Sequence, residues 1–218
     1  MKSALPYQLR EFRPGDPEEI ERMNLMFYHP QVMKFMGYKD NEFGQIRRGE
    51  LQKPDRTMFR TTSVVTRKHE EVAYAVADED NYLVGWIWFC LDSRHPFPTR
   101  VAKRLGVAPT DRIYQVVYEK LLSEGWPEEL TTKVIHVHPD ELHRPRHGVI
   151  VEGLKRAITR LTRGYRRLYV RRRKLVLYAF VLPDNTASQK VLQKNGFKKE
   201  ERQYRCDGLF HDLWVRII

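Results

Sequence analysis

Cysteine is scarce: Cys90 and Cys206 are the only two in 218 residues. No second thiol stands near either one in the chain, which excludes a disulfide framework and a CxxC metal or redox motif. Both are expected to be reduced and chemically inert. Long apolar runs are missing too. None reaches the roughly 18 residues that a membrane span needs, and the opening MKSALP lacks the apolar stretch of a secretory leader. The expectation is a cytoplasmic protein with no membrane segment. Repeats and low-complexity tracts are absent. Acids are in deficit, with 28 Asp and Glu against 39 Lys and Arg, giving a net charge of +11. That balance favours polyanionic company, whether nucleic acid, the ribosome, an acidic protein or a phosphorylated ligand, without choosing among them.

What is present suits a folded core. Hydrophobic residues make up 41% of the chain and aromatics 11%, and the length fits one domain over residues 1–218 carrying insertions. YQLREF (7–12) alternates like a first strand. Asp16 then caps a helix with Pro17 in its first turn, and Ile20, Met23 and Phe27 share one face. HPQVMKFMG (29–37) reads as a short helix stopped by Gly37. VAYAVAD and YLVGWIWFCLD flank the turn formers EDN and read as an antiparallel hairpin. TTKVIHVHP is expected to be a further strand over 131–138. GVIVEGLKRAITRL follows as a helix with Ile150, Leu154, Ala157, Ile158 and Leu161 in one stripe. KLVLYAFVLP is apolar on both faces, as a strand in the middle of a sheet should be. RQYRC and FHDLWVRII close the chain as two strands about Asp207-Gly208.

Two segments exceed a minimal domain. Residues 93–130 contain DRIYQVVYEKLL, which reads as helical, and are expected to form an insertion that shapes an acceptor groove or a surface for a second copy of the chain, as in a homodimer. RLTRGYRRLYVRRRK, from Arg160 to Lys174, is rich in arginine and holds no acid. Three consecutive cations, Arg171 to Arg173, exceed what a helix dipole calls for, so this run is expected to contact RNA or the ribosome.

The strand at 131–138, the helix from Gly148 and the strand at 174–182 form a βαβ unit, with parallel strands and a right-handed crossover. Ligands of such units bind beyond the carboxyl ends of the strands. The helix starting at Gly148 offers unpaired N–H groups there, with Arg144, Arg146 and His147 beside it, which suits a phosphorylated ligand. The next helix opens in the same place, with Thr186 and Gln189 spaced as a capping box, Ala187, Val191 and Leu192 on its buried face and Gly196 ending it. Asn185 and Ser188 would aim polar groups at that end of the sheet.

These residues carry a resemblance. PDNTASQKVLQKNGF (183–197) resembles the C-terminal signature of the GNAT acyltransferase superfamily, and the order of elements agrees over nearly the whole chain. HPQVMKFMG and GVIVEGL are similar to segments of its Rim-type branch, the ribosomal-protein N-acetyltransferases. The resemblance implies an α/β fold of GNAT type: a mixed, mostly antiparallel sheet with a central parallel βαβ unit, flanked by helices, with a helical insertion between two strands. It also implies acetyl-CoA as cosubstrate, its pyrophosphate at the Gly148 helix and its pantetheine between the two parallel strands. The contacting residues would be Val137, Arg144, Arg146, His147, Gly148, Val149, Ile150, Asn185 and Ser188. The family's pyrophosphate pattern, Q/R-x-x-G-x-G/A, places its basic residue at Pro145 and its last small residue at Ile150, so this chain departs from it at both ends.

The activity implied is transfer of acetyl from acetyl-CoA to a primary amine, of a small molecule or a protein N-terminus. The alternative is a protein that keeps the fold without the chemistry and binds RNA or the ribosome. Transfer needs a base for the amine and a means of protonating the thiolate. His138 and Glu141, near the end of the expected strand, are equal candidates for the base. Many relatives carry a tyrosine acid where this chain has Leu192, which leaves Ser188 as the nearest hydroxyl, or as a plain first-turn residue. HVHPDELHRPRH has enough histidines and carboxylates to hold a transition metal but matches no complete motif, so no metal is assigned.

Overall fold

The computed structural model describes residues 7–13, 15–35, 71–91, 96–126, 136–169, 173–206 and 208–218. Its elements in chain order are β1 (Gln8–Arg10), α1 (Pro17–Tyr28), α2 (Pro30–Phe35), β2 (Val72–Ala77), β3 (Leu83–Cys90), α3 (Thr99–Arg104), β4 (Arg112–Lys120), α4 (Pro139–Leu142), α5 (Val149–Leu168), β5 (Leu175–Val181), α6 (Thr186–Lys194), β6 (Lys198–Cys206) and β7 (Leu209–Ile217). One sheet contains all seven strands in the order β1-β2-β3-β4-β5-β7-β6. Every neighbouring pair is antiparallel except β4 and β5. The mixed, mostly antiparallel sheet with a central parallel pair is therefore present. Among the described residues no helix is long and apolar enough to cross a membrane.

The local readings of both ends of the chain hold. Asp16 caps α1 by accepting from the amides of Glu18 and Glu19, β2 and β3 form the expected hairpin, and β6 and β7 pair around Gly208. The stripe of α5 is buried along its length, from Ile150 to Leu161, and packs with α6 on one face of the sheet against Tyr74, Ile87, Tyr114, Val116 and Leu177. Gly85 makes close approach possible, since a Cβ there would lie 2.9 Å from Ile150 Cδ1 and 2.9 Å from the Glu119 carbonyl oxygen. On the opposite face α1 covers β2 and β3 through Met23, Met26 and Trp86. The α3 segment covers β5 and β7 through Val101, Tyr178 and Leu213.

The centre departs from expectation. Residues 112–120, read as helical, are the strand β4, paired on both sides with β3 and β5. Its apolar residues fit two periods. Ile113, Val116 and Val117 suggest a helical stripe, but Tyr114, Val116 and Tyr118 against Gln115, Val117 and Glu119 give strand alternation. β-branched and aromatic side chains in a slot between two strands favour the second. Among the described residues, the helical part of the expected insertion is thus α3. The strand expected at 131–138 fares differently: 131–135 lie outside the described residues, His136 and Val137 are bends, and His138 caps α4. The parallel crossover therefore runs from β4 through α5 to β5. Its helix continues seven residues past the expected Leu161 and takes in the first half of the arginine run.

Candidate active site

The β4–β5 ladder runs only from Arg112 opposite Leu175 to Gln115 opposite Tyr178. Past that point the two strands diverge. A cleft of about 340 Å³ opens there, lined by Val116 to Lys120 of β4, Ala179 to Val181 of β5, the first turns of α5 and α6, and Gln31 and Val32 of α2. Backbone groups of β4 facing the gap have lost their strand partner and need another.

At the α5 end, Gly148 is the N-cap residue in the left-handed region, φ 72°, without a side-chain cap. A Cβ there would meet nothing within 4 Å, so the conformation rather than crowding favours glycine. Glu152 N donates to the Gly148 carbonyl at 3.0 Å. The amides of Val149, Ile150 and Val151 precede it and have no intrahelical acceptor. At the α6 end the cap is Asn185, one residue before the expected Thr186: its Oδ1 accepts from Ser188 N at 3.0 Å. Gln189 Nε2 donates instead to the Pro183 carbonyl at 2.8 Å, so the expected box does not form. Asn is the stronger cap, and the Pro183-Asp184 turn places it first. Val191 and Leu192 lie toward the core as expected, Leu192 fully buried, whereas Ala187 faces the cleft.

Two side chains of β4 that sequence reasoning missed dominate the middle. Tyr118 Oη donates across the gap to the Ser188 carbonyl at 3.2 Å, and burial raises its pKa. Glu119, 8% exposed, projects to the other face. Its Oε2 accepts from Trp86 Nε1 at 3.2 Å, while Oε1 is buried without a hydrogen-bond partner. Burial, opposed only by the Trp86 hydrogen bond, pushes its pKa up to about 8. A carboxyl directly after the apolar and aromatic run Val116, Val117 and Tyr118 was the available signal; the helical reading of 112–120 hid it.

Of the residues expected from sequence, Arg146, Gly148, Val149, Ile150, Asn185 and Ser188 line the cleft. The others stand elsewhere. Val137 is a core residue beside Leu142. Arg144 pairs with Asp80 at 3.1 Å, and His147 is exposed, its carbonyl accepting from Tyr7 Oη. Glu141 faces the buried Arg22 at 3.7 Å. The His138 side chain is 71% exposed, and its Nδ1 accepts from Asp140 N. His136 and His138 lie in a bend and at the α4 cap, not on a strand. Among the described residues no three of His, Cys, Asp and Glu stand together as a metal cage. The α2 side of the cleft is steadied by His29, whose Nε2 donates to the Glu124 carbonyl at 2.8 Å while Nδ1 accepts from Gln31 N, fixing the start of α2.

No family model matches the chain, and no curated protein matches it. Solved structures do. Ribosomal-protein-S5-alanine acetyltransferase from Vibrio fischeri superposes with a TM-score of 0.55 at 15% identity, covering 99% of this chain and 94% of the other. The fold is the GNAT fold. An acetyltransferase of the GNAT family from Bacillus anthracis gives a TM-score of 0.50 at 16% identity over 99% and 96% of the two chains. Mycobacterium smegmatis RimJ, solved with CoA-disulfide, gives 0.50 at 17% over 97% and 81%. Within this GNAT fold, the cleft lies where the central parallel pair separates.

Proposed function

We propose that the protein is an acetyl-CoA-dependent N-acetyltransferase acting on a primary amine. The observation that carries this is the diverging β4–β5 pair ending at an uncapped helix start. The gap exposes backbone donors and acceptors that the two amides of a pantetheine arm can satisfy, and α5 presents free amides to a pyrophosphate. The solved relative RimJ was found with a CoA derivative, which agrees with this reading. Bound acetyl-CoA supplies the activated acetyl group; what remains is to accept a proton from the amine and to receive the thiolate.

Glu119 is the base in this proposal. It lines the cleft on the face covered by α1, one of its oxygens lacks a hydrogen-bond partner, and with a pKa of about 8 it matches an ammonium of similar pKa and becomes available to take its proton as pH rises toward 8. His138 and Glu141, the candidates from sequence, stand outside the cleft. Tyr118 and Ser188, which line the cleft and are joined by the Tyr118 hydroxyl donating to the Ser188 carbonyl, are the hydroxyls this proposal offers to the leaving thiolate. An α-amine at a protein N-terminus suits this base, because its pKa near 7.7–8.0 lies close to that of Glu119.

The test is thermal. Saturation with acetyl-CoA at about 100 times Kd adds roughly 2.7 kcal/mol of stability, which is on the order of 5–10 °C in Tm for a chain of this size. Gly148→Asp should abolish that shift, since a carboxylate occupies the anion position. Gly148→Asn, which tolerates positive φ without adding charge, should retain it. A shift of equal size in the parent and the Asp variant refutes the assignment of the cleft.

A further inference from the structure

The departure of the α5 loop from the family's pyrophosphate pattern leaves a question of charge. Pro145 stands where a cation is expected, and the neighbouring arginines are committed. Arg144 is paired with Asp80. Arg146, 5% exposed, directs its terminal nitrogens to the carbonyls of Glu141, Leu142 and Arg144. Only its Nε lacks a partner, and that atom is buried. Arg146 therefore lends charge to the end of the cleft while its terminal nitrogens stay committed to those carbonyls.

Lys120 is placed differently. It is the last residue of β4, opposite Gly85 on β3. Strand alternation sets it on the same face as Tyr114, Val116 and Tyr118, the face against α5. Gly85 has no side chain there, and Ile150 of the first α5 turn presses against it, so Lys120 emerges beside the helix start. It lines the cleft together with Arg146, Gly148 and Val149. Among the described residues it makes no hydrogen bond or ion pair. Burial lowers its pKa, and so does the like charge of Arg146. A partly buried ammonium beside a guanidinium is unfavourable unless an anion joins them.

We infer that Lys120 supplies, from the end of β4, the cation that the α5 loop lacks, and that it binds the diphosphate of the acyl donor together with the amides of Val149 to Val151. This rests on the acetyl-CoA reading for the identity of the donor, but the anion site is defined by the residues alone. It makes the diphosphate a selection element. Donors that carry it gain a charge-assisted contact, and donors that end at pantetheine do not.

The experiment compares the parent with Lys120→Met and Lys120→Arg in the full chain. Titration with CoA at several salt concentrations should show Lys120→Met binding about 10- to 100-fold more weakly, with a flatter salt dependence, and Lys120→Arg binding close to the parent. In turnover the loss should appear in KM for acetyl-CoA and be absent with acetyl-pantetheine, which carries no phosphate. CoA binding by Lys120→Met equal to the parent overturns the inference, and so does an equal loss with acetyl-pantetheine, the mark of a merely structural residue. Inorganic pyrophosphate separates the two readings. If the parent binds pyrophosphate and Lys120→Met does not, while neither binds CoA, the anion site stands and the acetyl-CoA reading falls. If the parent binds neither, both fall.

Discussion

Glu119→Gln tests the central claim about the site through stability as well as rate. The folded protein holds this carboxyl at a pKa of about 8, against 4.5 for an open glutamate, because burial disfavours the anion more than the Trp86 hydrogen bond supports it. A raised acid pKa means that the folded state binds the proton more tightly than the unfolded chain. Its contribution is fully present below about pH 4.5 and is lost progressively as pH rises to about 8, where the loss levels off. At 1.36 kcal/mol per unit the ceiling is roughly 4–5 kcal/mol. Glutamine keeps the shape and the acceptor for Trp86 Nε1 but never ionises. Its extra donors meet a site where Oε1 already lacks a hydrogen-bond partner, which costs about 1 kcal/mol at any pH. The variant should therefore melt close to the parent near pH 5.5, where the part of the parent's contribution already lost above pH 4.5 roughly offsets that cost, and above it near pH 9. The change in the difference between the two Tm values should be on the order of 10 °C. Scanning calorimetry at the two pH values measures this without any substrate. A difference in Tm that does not move with pH refutes the burial of this carboxyl. In turnover, the parent's rate should rise with pH toward about 8, and Glu119→Gln should lose that limb together with about 10²–10⁴ in kcat. An unchanged kcat leaves the stability argument intact and removes Glu119 as the base.

Two further outcomes follow from other contacts. Tyr118→Phe removes the hydrogen bond to the Ser188 carbonyl across the gap. It should cost about 0.5–1.5 kcal/mol of stability in denaturant melts, and should lower kcat for acetyl-CoA more than it raises KM if the hydroxyl serves the thiolate. Arg163, Arg166 and Arg167 are exposed on the last turns of α5, some 20–30 Å from Gly148 at 1.5 Å per residue. Replacing the three with Gln should leave the CoA-induced shift unchanged while weakening any salt-dependent association with RNA or ribosomes, which a filter-binding assay reads.

Much of this protein was legible without coordinates because its signals are local. Asp16 before Pro17 starts α1, the apolar runs about Glu79 to Asn81 make a hairpin, and the stripe from Ile150 to Leu161 requires a buried helix face. The gap between two parallel strands, the Gly148 helix start and the Asn185-to-Ser188 turn were likewise written in short motifs, and all line one cleft. What sequence could not decide was which strand faces β5. RIYQVVYEK satisfies two periods over nine residues, and the choice is made by β3 and β5, which offer it ladder hydrogen bonds on both edges that an isolated segment cannot count. The misplaced base follows from that ambiguity: with β4 read as a helix, His138 and Glu141 took the strand end that Tyr118, Glu119 and Lys120 occupy. Burial then made the remaining decision. Tyr118, Glu119 and Lys120 carry three titratable groups in succession, and only the packing of Trp86 on one side of the strand and of Ile150 on the other removes water from them and gives them altered proton affinities.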